Sequence, residues 1–188
     1  TANTDAVIVH HAQHCELGYV HPPILTDATA VTKNADVIVN NAPISSWYNQ
    51  NEGTIFVEAN SHSALGVGSN NFVTDFSDGS TANAIRSYYD RGISAARPAT
   101  VMFAGSAFQG SIVATGDSYL QGMRYAQAYK LNDRQLAIDG TSIGTDLTAT
   151  MPTGIDKINI GTDLSGSSPL NGYIQKLEYY DTRLSQAE

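Results

Sequence analysis

Apolar and polar residues alternate along most of this chain in short runs, and the spacing is that of strands. In "GTIFVEANS" (Gly53–Ser61), Ile55 and Val57 fall on one face while Phe56 and Glu58 fall on the other. Eight further runs read the same way: "NNFVTDFSDG", "NAIRSYYD", "ATVMFAG", "SIVATG", "MRYAQAYK", "RQLAIDG", "DKINIG" and "GYIQKLEYYD". Each is rich in β-branched or aromatic residues and is bounded by Gly, Asn, Asp or Pro. Turn words such as "SDGS", "LNDR", "DGTS" and "PTGI" separate them. Many short strands without long helical patterns predict an all-β fold, an antiparallel β-sandwich or barrel. Helical signal is confined to two places. "SSWYNQNEG" reads as a turn or short helix, and "DTRLSQAE" predicts a short C-terminal helix with Asp181 as N-cap.

The last strand carries a specific expectation. Asn171-Gly172 allows positive φ where the strand starts. Strict alternation would split Ile174, Leu177 and Tyr179 between two faces. All three reach the core only if a bulge lies between Ile174 and Leu177. This strand is expected to pair beside the N-terminal strand and close the sandwich. Leu184, on the short helix, is expected to cap the open end of the core.

Composition narrows the setting. Apolar residues make up 41% of the 188 residues, enough for a core, but charged residues make up only 15%. A typical domain carries about a quarter, so Ser, Thr, Asn, Gln and Gly must cover the surface. That suits an extracellular or virion protein. The net charge of -8, with no local Lys/Arg cluster, argues against nucleic acid and against anionic membranes as partners. No apolar run approaches a membrane span. The single cysteine, Cys15, permits no intrachain disulfide. The chain opens on Thr1 without a signal-peptide pattern and reads as a piece of something longer.

The segment Arg124–Glu188 resembles the C-terminal half of the concanavalin A-like, laminin-G-like jelly-roll domains of bacteriophage tail and tail-fibre proteins. The residues that carry the likeness are Ala128-Tyr129-Lys130, Asn132-Asp133, Pro152, Gly154-Ile155, Ile158, Ile160-Gly161, Leu170-Asn171-Gly172, Ile174, Leu177, Tyr179-Tyr180, Arg183-Leu184-Ser185 and Glu188. Upstream, "VTKNADV" resembles the opening strand of such domains, with Lys33 where arginine is usual, and "SSWYNQNEGTIFVEA" resembles the segment after it. "AQHCELGYVHPP" resembles the end of a sandwich module fused ahead. The resemblance implies two parts. Residues 1–31 are the last strand and linker of an upstream module, and residues 32–188 are the jelly-roll domain. It also implies a virion tail location, a homotrimer, and a host-cell surface glycan as partner.

Catalysis finds little support. Glycan hydrolysis needs two carboxyl groups about 5–5.5 Å apart for retention, or farther for inversion. No strand offers acids at i and i+2 or i+4: Glu58 is followed by Asn60 and His62, and Asp139 by Gly140 and Thr141. Cys15 lies near His10, His11 and His14 but lacks the cleft and orienting third group that a nucleophile needs. On a strand, His10 and His14 would share a face with Cα atoms about 13–14 Å apart, too far for one ion. Calcium is the candidate cofactor because Asn70, Asn71, Asp75, Asp78 and, separately, Asp163 supply oxygen ligands. No EF-hand spacing is present, and Asn and Asp at turns commonly serve backbone conformation. No other cofactor is expected.

A binding surface is the stronger expectation. Ten tyrosines and one tryptophan sit among amides and hydroxyls, and aromatic faces with polar neighbours suit sugar rings. On "GMRYAQAYK", Met123, Tyr125, Gln127 and Tyr129 share one side, and Arg124, Ala126, Ala128 and Lys130 the other. Alternation alone leaves open which side faces out. The candidate contacts are Tyr119, Asp117 and Gln121 in the loop "TGDSYLQG", joined by Tyr125 and Gln127. A shallow site with Kd of about 1 mM is worth roughly 4 kcal/mol, and repetition on a fibre adds about 10²–10⁴ in avidity. The alternatives are a structural assembly or trimerisation domain, and a glycan hydrolase.

Overall fold

The computed structural model describes residues 38–40, 42–61, 70–90, 97–115 and 123–185. The chain divides into two units, Thr1–Asn34 and Ala35–Glu188, and the described residues all belong to the second. The expectations for His10, His11, His14, Cys15 and residues 1–31 lie outside them.

The second unit is all-β, with two antiparallel sheets stacked as a sandwich, as the strand pattern predicts. The strands in chain order are β1 (Ile38–Asn40), β2 (Glu52–Ser61), β3 (Asn71–Ser77), β4 (Ala84–Asp90), β5 (Arg97–Ala104), β6 (Ala107–Val113), β7 (Met123–Lys130), β8 (Asp133–Ile138), β9 (Thr141–Asp146), β10 (Lys157–Ile160) and β11 (Gly172–Tyr180). One sheet has six strands in the order β1-β10-β3-β4-β5-β6, and the other has five in the order β11-β2-β7-β8-β9. A single 3-10 turn, Ile44–Ser46, precedes β2. Among the described residues no helix is long and apolar enough to cross a membrane.

Local chemistry explains the hairpins. β8 and β9 are joined by Asp139 and Gly140, with φ of 46° and 79°. Two positive values in succession match the right-handed twist of the flanking strands, and Asp-Gly tolerates them. Asn171 likewise has φ of 49° ahead of β11. The core forms where the inward residues of both sheets meet: Ile55, Val57, Tyr125, Tyr129 and Leu136 from one, Val73, Phe76, Ile85, Tyr89 and Met102 from the other. Two tyrosine hydroxyls tie the layers together. Tyr125 donates to Ser87 Oγ at 2.9 Å, and Tyr89 donates to the Ala59 carbonyl at 3.2 Å. A buried ring with a satisfied hydroxyl adds apolar area without an orphaned polar atom.

The bulge in β11 is present. Ile174 pairs with Ala59 and Lys176 with Glu58, and the register shifts between them. Ile174, Leu177 and Tyr179 all pack against the core as a result. β11 pairs with β2; the opening strand "VTKNADV", beside which it is expected to lie, is outside the described residues. Two other expectations for this region are corrected. Residues 181–185 form no helix. Their backbone donors are taken across the sheet: the Arg183 N–H by Glu52 Oε2 at 3.2 Å and the Leu184 N–H by Thr54 Oγ1 at 2.9 Å. Leu184 therefore lies over the outer face of the five-stranded sheet, not over the end of the core. One end of the core is filled instead by rings. Tyr48 stacks on Phe76 and Tyr179 with centroids 5.8 and 5.6 Å away, and Trp47 meets Tyr179 edge-on at 5.2 Å.

The two sheets are also joined along one side by a buried arginine. Arg134 of β8 is 1% exposed. Its Nη1 donates to the Gln109 and Gly110 carbonyls of β6 at 3.0 and 3.3 Å and to Asp146 Oδ2 of β9 at 3.3 Å. Nothing in "LNDR" distinguishes this inward arginine from an exposed one, because its partners are backbone carbonyls from a distant strand.

Candidate functional site

The outer face of the five-stranded sheet carries a groove of about 560 Å³. Strand register builds it from cross-strand rows. In the first row Tyr180, Thr54, Ala128 and Gln135 lie side by side on β11, β2, β7 and β8. In the second row the order is Glu178, Phe56, Ala126 and Ala137. In the third, Lys176, Glu58 and Arg124 follow one another. Ala126, Ala128 and Ala137 make a low floor because a methyl group is all that rises from each position. Longer side chains on β11 and at the far side of β8 make the walls. The trough is thus a consequence of small residues on two central strands beside tall ones on the flanks.

The walls are polar and mutually bonded. Lys176 Nζ lies 3.0 Å from Glu178 Oε2 and 5.5 Å from the centre of the Phe56 ring. The Tyr180 hydroxyl donates to Glu178 Oε2 at 3.1 Å. Hydrogen bonding to Lys176 holds Glu178 below the usual carboxylate range, and the same pair raises Lys176. At the other end Arg124 Nε lies 3.6 Å from Asp139 Oδ1. Gln135 Nε2 donates to Ser142 Oγ at 3.0 Å. Tyr180 is 40% exposed, so a ring stands at the groove's edge with its hydroxyl fixed. Residues 181–185 cross one end of the face: Arg183 Nη2 reaches Asp133 Oδ1 at 2.8 Å and Gln135 Oε1 at 3.1 Å.

Two of the residues expected to meet a ligand turn the other way. Tyr125 and Gln127 are 3% and 1% exposed. They face the core, Tyr125 on Ser87 and Gln127 between Ile55 and Leu136 in the strand register. The alternate set, Arg124, Ala126, Ala128 and Lys130, faces out. The physical reason is that the neighbouring sheet offers Ser87 to one hydroxyl, which makes the tyrosine side the better core face. Tyr119, Asp117 and Gln121 lie outside the described residues.

The oxygen-rich residues are engaged separately. Asp75 Oδ1 lies 3.0 Å from Arg86 Nε, and Oδ2 accepts the Leu164 N–H at 3.0 Å. Burial raises the Asp75 carboxyl above its ordinary range although Arg86 opposes it. Asp78 accepts from the Ser80 N–H and hydroxyl and from Asn83, fixing its own turn. Asn71 Nδ2 donates to the Pro169 carbonyl at 2.7 Å, and Asp163 accepts from Ser165, Ser167 and Ser168 within its loop. Among the described residues no group of three or more His, Cys, Asp and Glu is placed to hold a metal ion.

Carboxylates do approach each other across strands, which a search along single strands does not reveal. Glu58 and Glu178 are diagonal neighbours on β2 and β11, a relationship that places Cα atoms about 7–8 Å apart. Lys176 stands beside both, and its ammonium favours the ionised form of Glu178. A general acid needs the opposite, a carboxyl held protonated near neutral pH.

No protein-family profile matches this chain, and no curated protein matches it in sequence. Solved structures do match in fold. The CBM40 module of the Ruminococcus gnavus IT-sialidase superposes with a TM-score of 0.62 at 16% identity, covering 81% of this chain and 92% of that one. The same module bound to α2,3-sialyllactose gives 0.60 at 15% identity, with 78% and 88% covered. Domains LG4-5 of the mouse laminin α1 chain give 0.60 at 10% identity, covering 85% of this chain and 46% of that one. Domain 4 of AbnA, a GH43 extracellular arabinanase from Geobacillus stearothermophilus solved with arabinotriose, gives 0.59 at 10% identity, with 75% and 66% covered. At these identities the likeness establishes a shared jelly-roll, laminin-G-like sandwich.

Proposed function

We propose that this chain is a non-catalytic glycan-binding domain whose ligand lies on the outer face of the five-stranded sheet. The observation that carries the reading is the alanine-floored trough between Tyr180, Lys176 and Glu178 on one side and Gln135 on the other. A flat apolar floor suits the C–H face of a sugar ring, and fixed donors and acceptors along the walls suit its hydroxyls. The structural neighbours include domains solved with sialyllactose and with arabinotriose, which supports a sugar ligand. The Lys176-paired carboxylates support binding without hydrolysis. The sequence likeness to phage tail and tail-fibre domains supports a place on the virion tail, as a homotrimer that meets a host-surface glycan. A glycan array with the full chain tests the reading, together with titration calorimetry of any hit. Binding lost on Ala126→Trp supports it, and reducing-sugar release from a bound polysaccharide overturns the non-catalytic part.

A second reading, assembly of copies, draws on one feature. Phe108 and Leu147 are 60% and 66% exposed and flank one depression beside β6 and β9. Such side chains suit a subunit contact. Light-scattering mass of the wild type against Phe108→Ser, Leu147→Ser separates this reading from the first.

A further inference from the structure

The shared fold hosts acidic and neutral sugars alike, as sialyllactose on the CBM40 module and arabinotriose on AbnA domain 4 show. The class of ligand must therefore come from this chain's own groove. Every cation described on the face already has an acid beside it. Lys176 lies 3.0 Å from Glu178, Arg124 3.6 Å from Asp139, Lys130 3.6 Å from Glu52, and Arg183 2.8 Å from Asp133. Glu58 adds a further carboxylate between Lys176 and Arg124 in the third row. The chain as a whole carries a net charge of -8.

An anionic sugar entering this face would find the charge of each cation already balanced by a carboxylate, would be repelled by that carboxylate, and would approach a negatively charged body. A neutral sugar meets no such opposition. Its hydroxyls can donate to Glu178, Asp139 and the Tyr180 oxygen and accept from Lys176 and Arg124 while the ion pairs stay in place. Hydrogen bonds to charged groups are the stronger kind, so pairing the charges internally keeps strong partners without selecting for a charged ligand. Glu178 and Asp139 stand across the trough on β11 and just after β8, three strand spacings and one row apart, or about 16 Å. A trough of about 560 Å³ with polar groups at both sides suits an oligosaccharide more than one ring.

We propose, resting on the glycan-binding reading above, that the groove is selective for uncharged oligosaccharides and excludes sialylated, uronic-acid and sulfated ones. Glu58 and Glu178 are the excluding residues. The discrimination is kept by charge and not by shape, so removing the charge should relax it.

The test titrates the full chain with matched neutral and acidic probes: lactose against sialyllactose, and gluco-, galacto- and arabino-oligosaccharides against their uronic-acid counterparts. The wild type should bind at least one neutral probe, with an affinity that changes less than twofold between low and high salt, and no acidic probe. The double variant Glu58→Gln, Glu178→Gln should gain at least tenfold for acidic probes, and added salt should erase that gain. Both side chains lie on the outer face, and circular dichroism confirms that the variant folds. A wild type that prefers acidic probes, weakened by salt, overturns this inference and leaves glycan binding standing. A double variant with no gain overturns the assignment of the excluding residues. Binding of neither class overturns the glycan reading itself, and the selectivity with it.

Discussion

Gly53 of β2 lies directly against the hydroxyl of Tyr129 on the neighbouring β7. A methyl group at Gly53 would stand 2.5 Å from that oxygen and 2.8 Å from the ring carbon that bears it. The Tyr179 hydroxyl would be 3.0 Å away. The three groups share one small space, in which Tyr129 donates to Tyr179 at 3.3 Å and Tyr179 accepts the Asn49 N–H at 2.8 Å. The glycine in "NEGT" is therefore a packing requirement at the ring-filled end of the core.

Gly53→Ala should destabilise the domain by about 1–3 kcal/mol, the usual cost of overpacking. Tyr129→Phe should recover part of that loss in the double variant, because it removes the nearer of the two colliding atoms. Urea unfolding of the two single variants and the double variant checks this. Strictly additive losses would mean that the two residues do not collide.

The inward turn of β7 gives a paired expectation. Tyr125→Phe should cost about 1 kcal/mol by removing the bond to Ser87. Gln127→Met should raise stability by about 1–2 kcal/mol, because neither polar atom of that buried amide has a hydrogen-bond partner. Neither change should alter binding of a glycan identified on an array. Calorimetry showing a loss of affinity without a loss of fold would return these residues to the ligand.

Filling the trough should do the reverse. Ala126→Trp places a large ring on the floor of the groove, on the face away from the core. Stability should stay within about 0.5 kcal/mol of wild type, while glycan affinity falls at least tenfold, or about 1.4 kcal/mol. Thermal melts and titration of the same sample read both.

Asp146 links stability to pH. Its partial burial disfavours charge, but the Thr148 N–H and hydroxyl and the Arg134 guanidinium prevail and hold its carboxyl below the ordinary range. A depressed folded value contributes stability above the unfolded pKa of about 3.9 and loses it as pH falls through the folded value. Asp146→Asn should flatten this acid limb of the unfolding curve. Asp146→Ala, which leaves the buried Arg134 uncompensated, should cost about 3–5 kcal/mol at neutral pH, and adding Arg134→Met should restore most of it.

Nine of the eleven strands, the turns and the bulge in β11 are legible in the sequence because each is a local event, whereas the short β1 and the Thr- and Gly-rich β9 carry no apolar alternation to announce them. Asn171 and Asp139-Gly140 announce their own backbone angles, and the spacing of Ile174, Leu177 and Tyr179 demands an extra residue. The face of β7 is not legible, since tyrosine and glutamine on one side and alanine with arginine on the other satisfy alternation equally well. The groove is less legible still. Its rows run at right angles to the chain, so Glu178, Phe56, Ala126 and Ala137 meet only once the strand order is known. The run "DTRLSQAE" misleads for a related reason: Glu52 and Thr54, far away in sequence, take the Arg183 and Leu184 N–H groups that Asp181 would cap at the start of a helix.

The pairing of β11 with β2 bears on how this domain comes into being. Thr54 and Tyr180 are partners separated by most of the described chain. The five-stranded sheet thus cannot be completed on the ribosome until Tyr180 has emerged, and until then β2 presents an unpaired edge to the cell. Contacts of such long range fold slowly. Maturation should therefore be paced by this last docking step, and a chain stalled before residue 170 should be a substrate for chaperones or for aggregation.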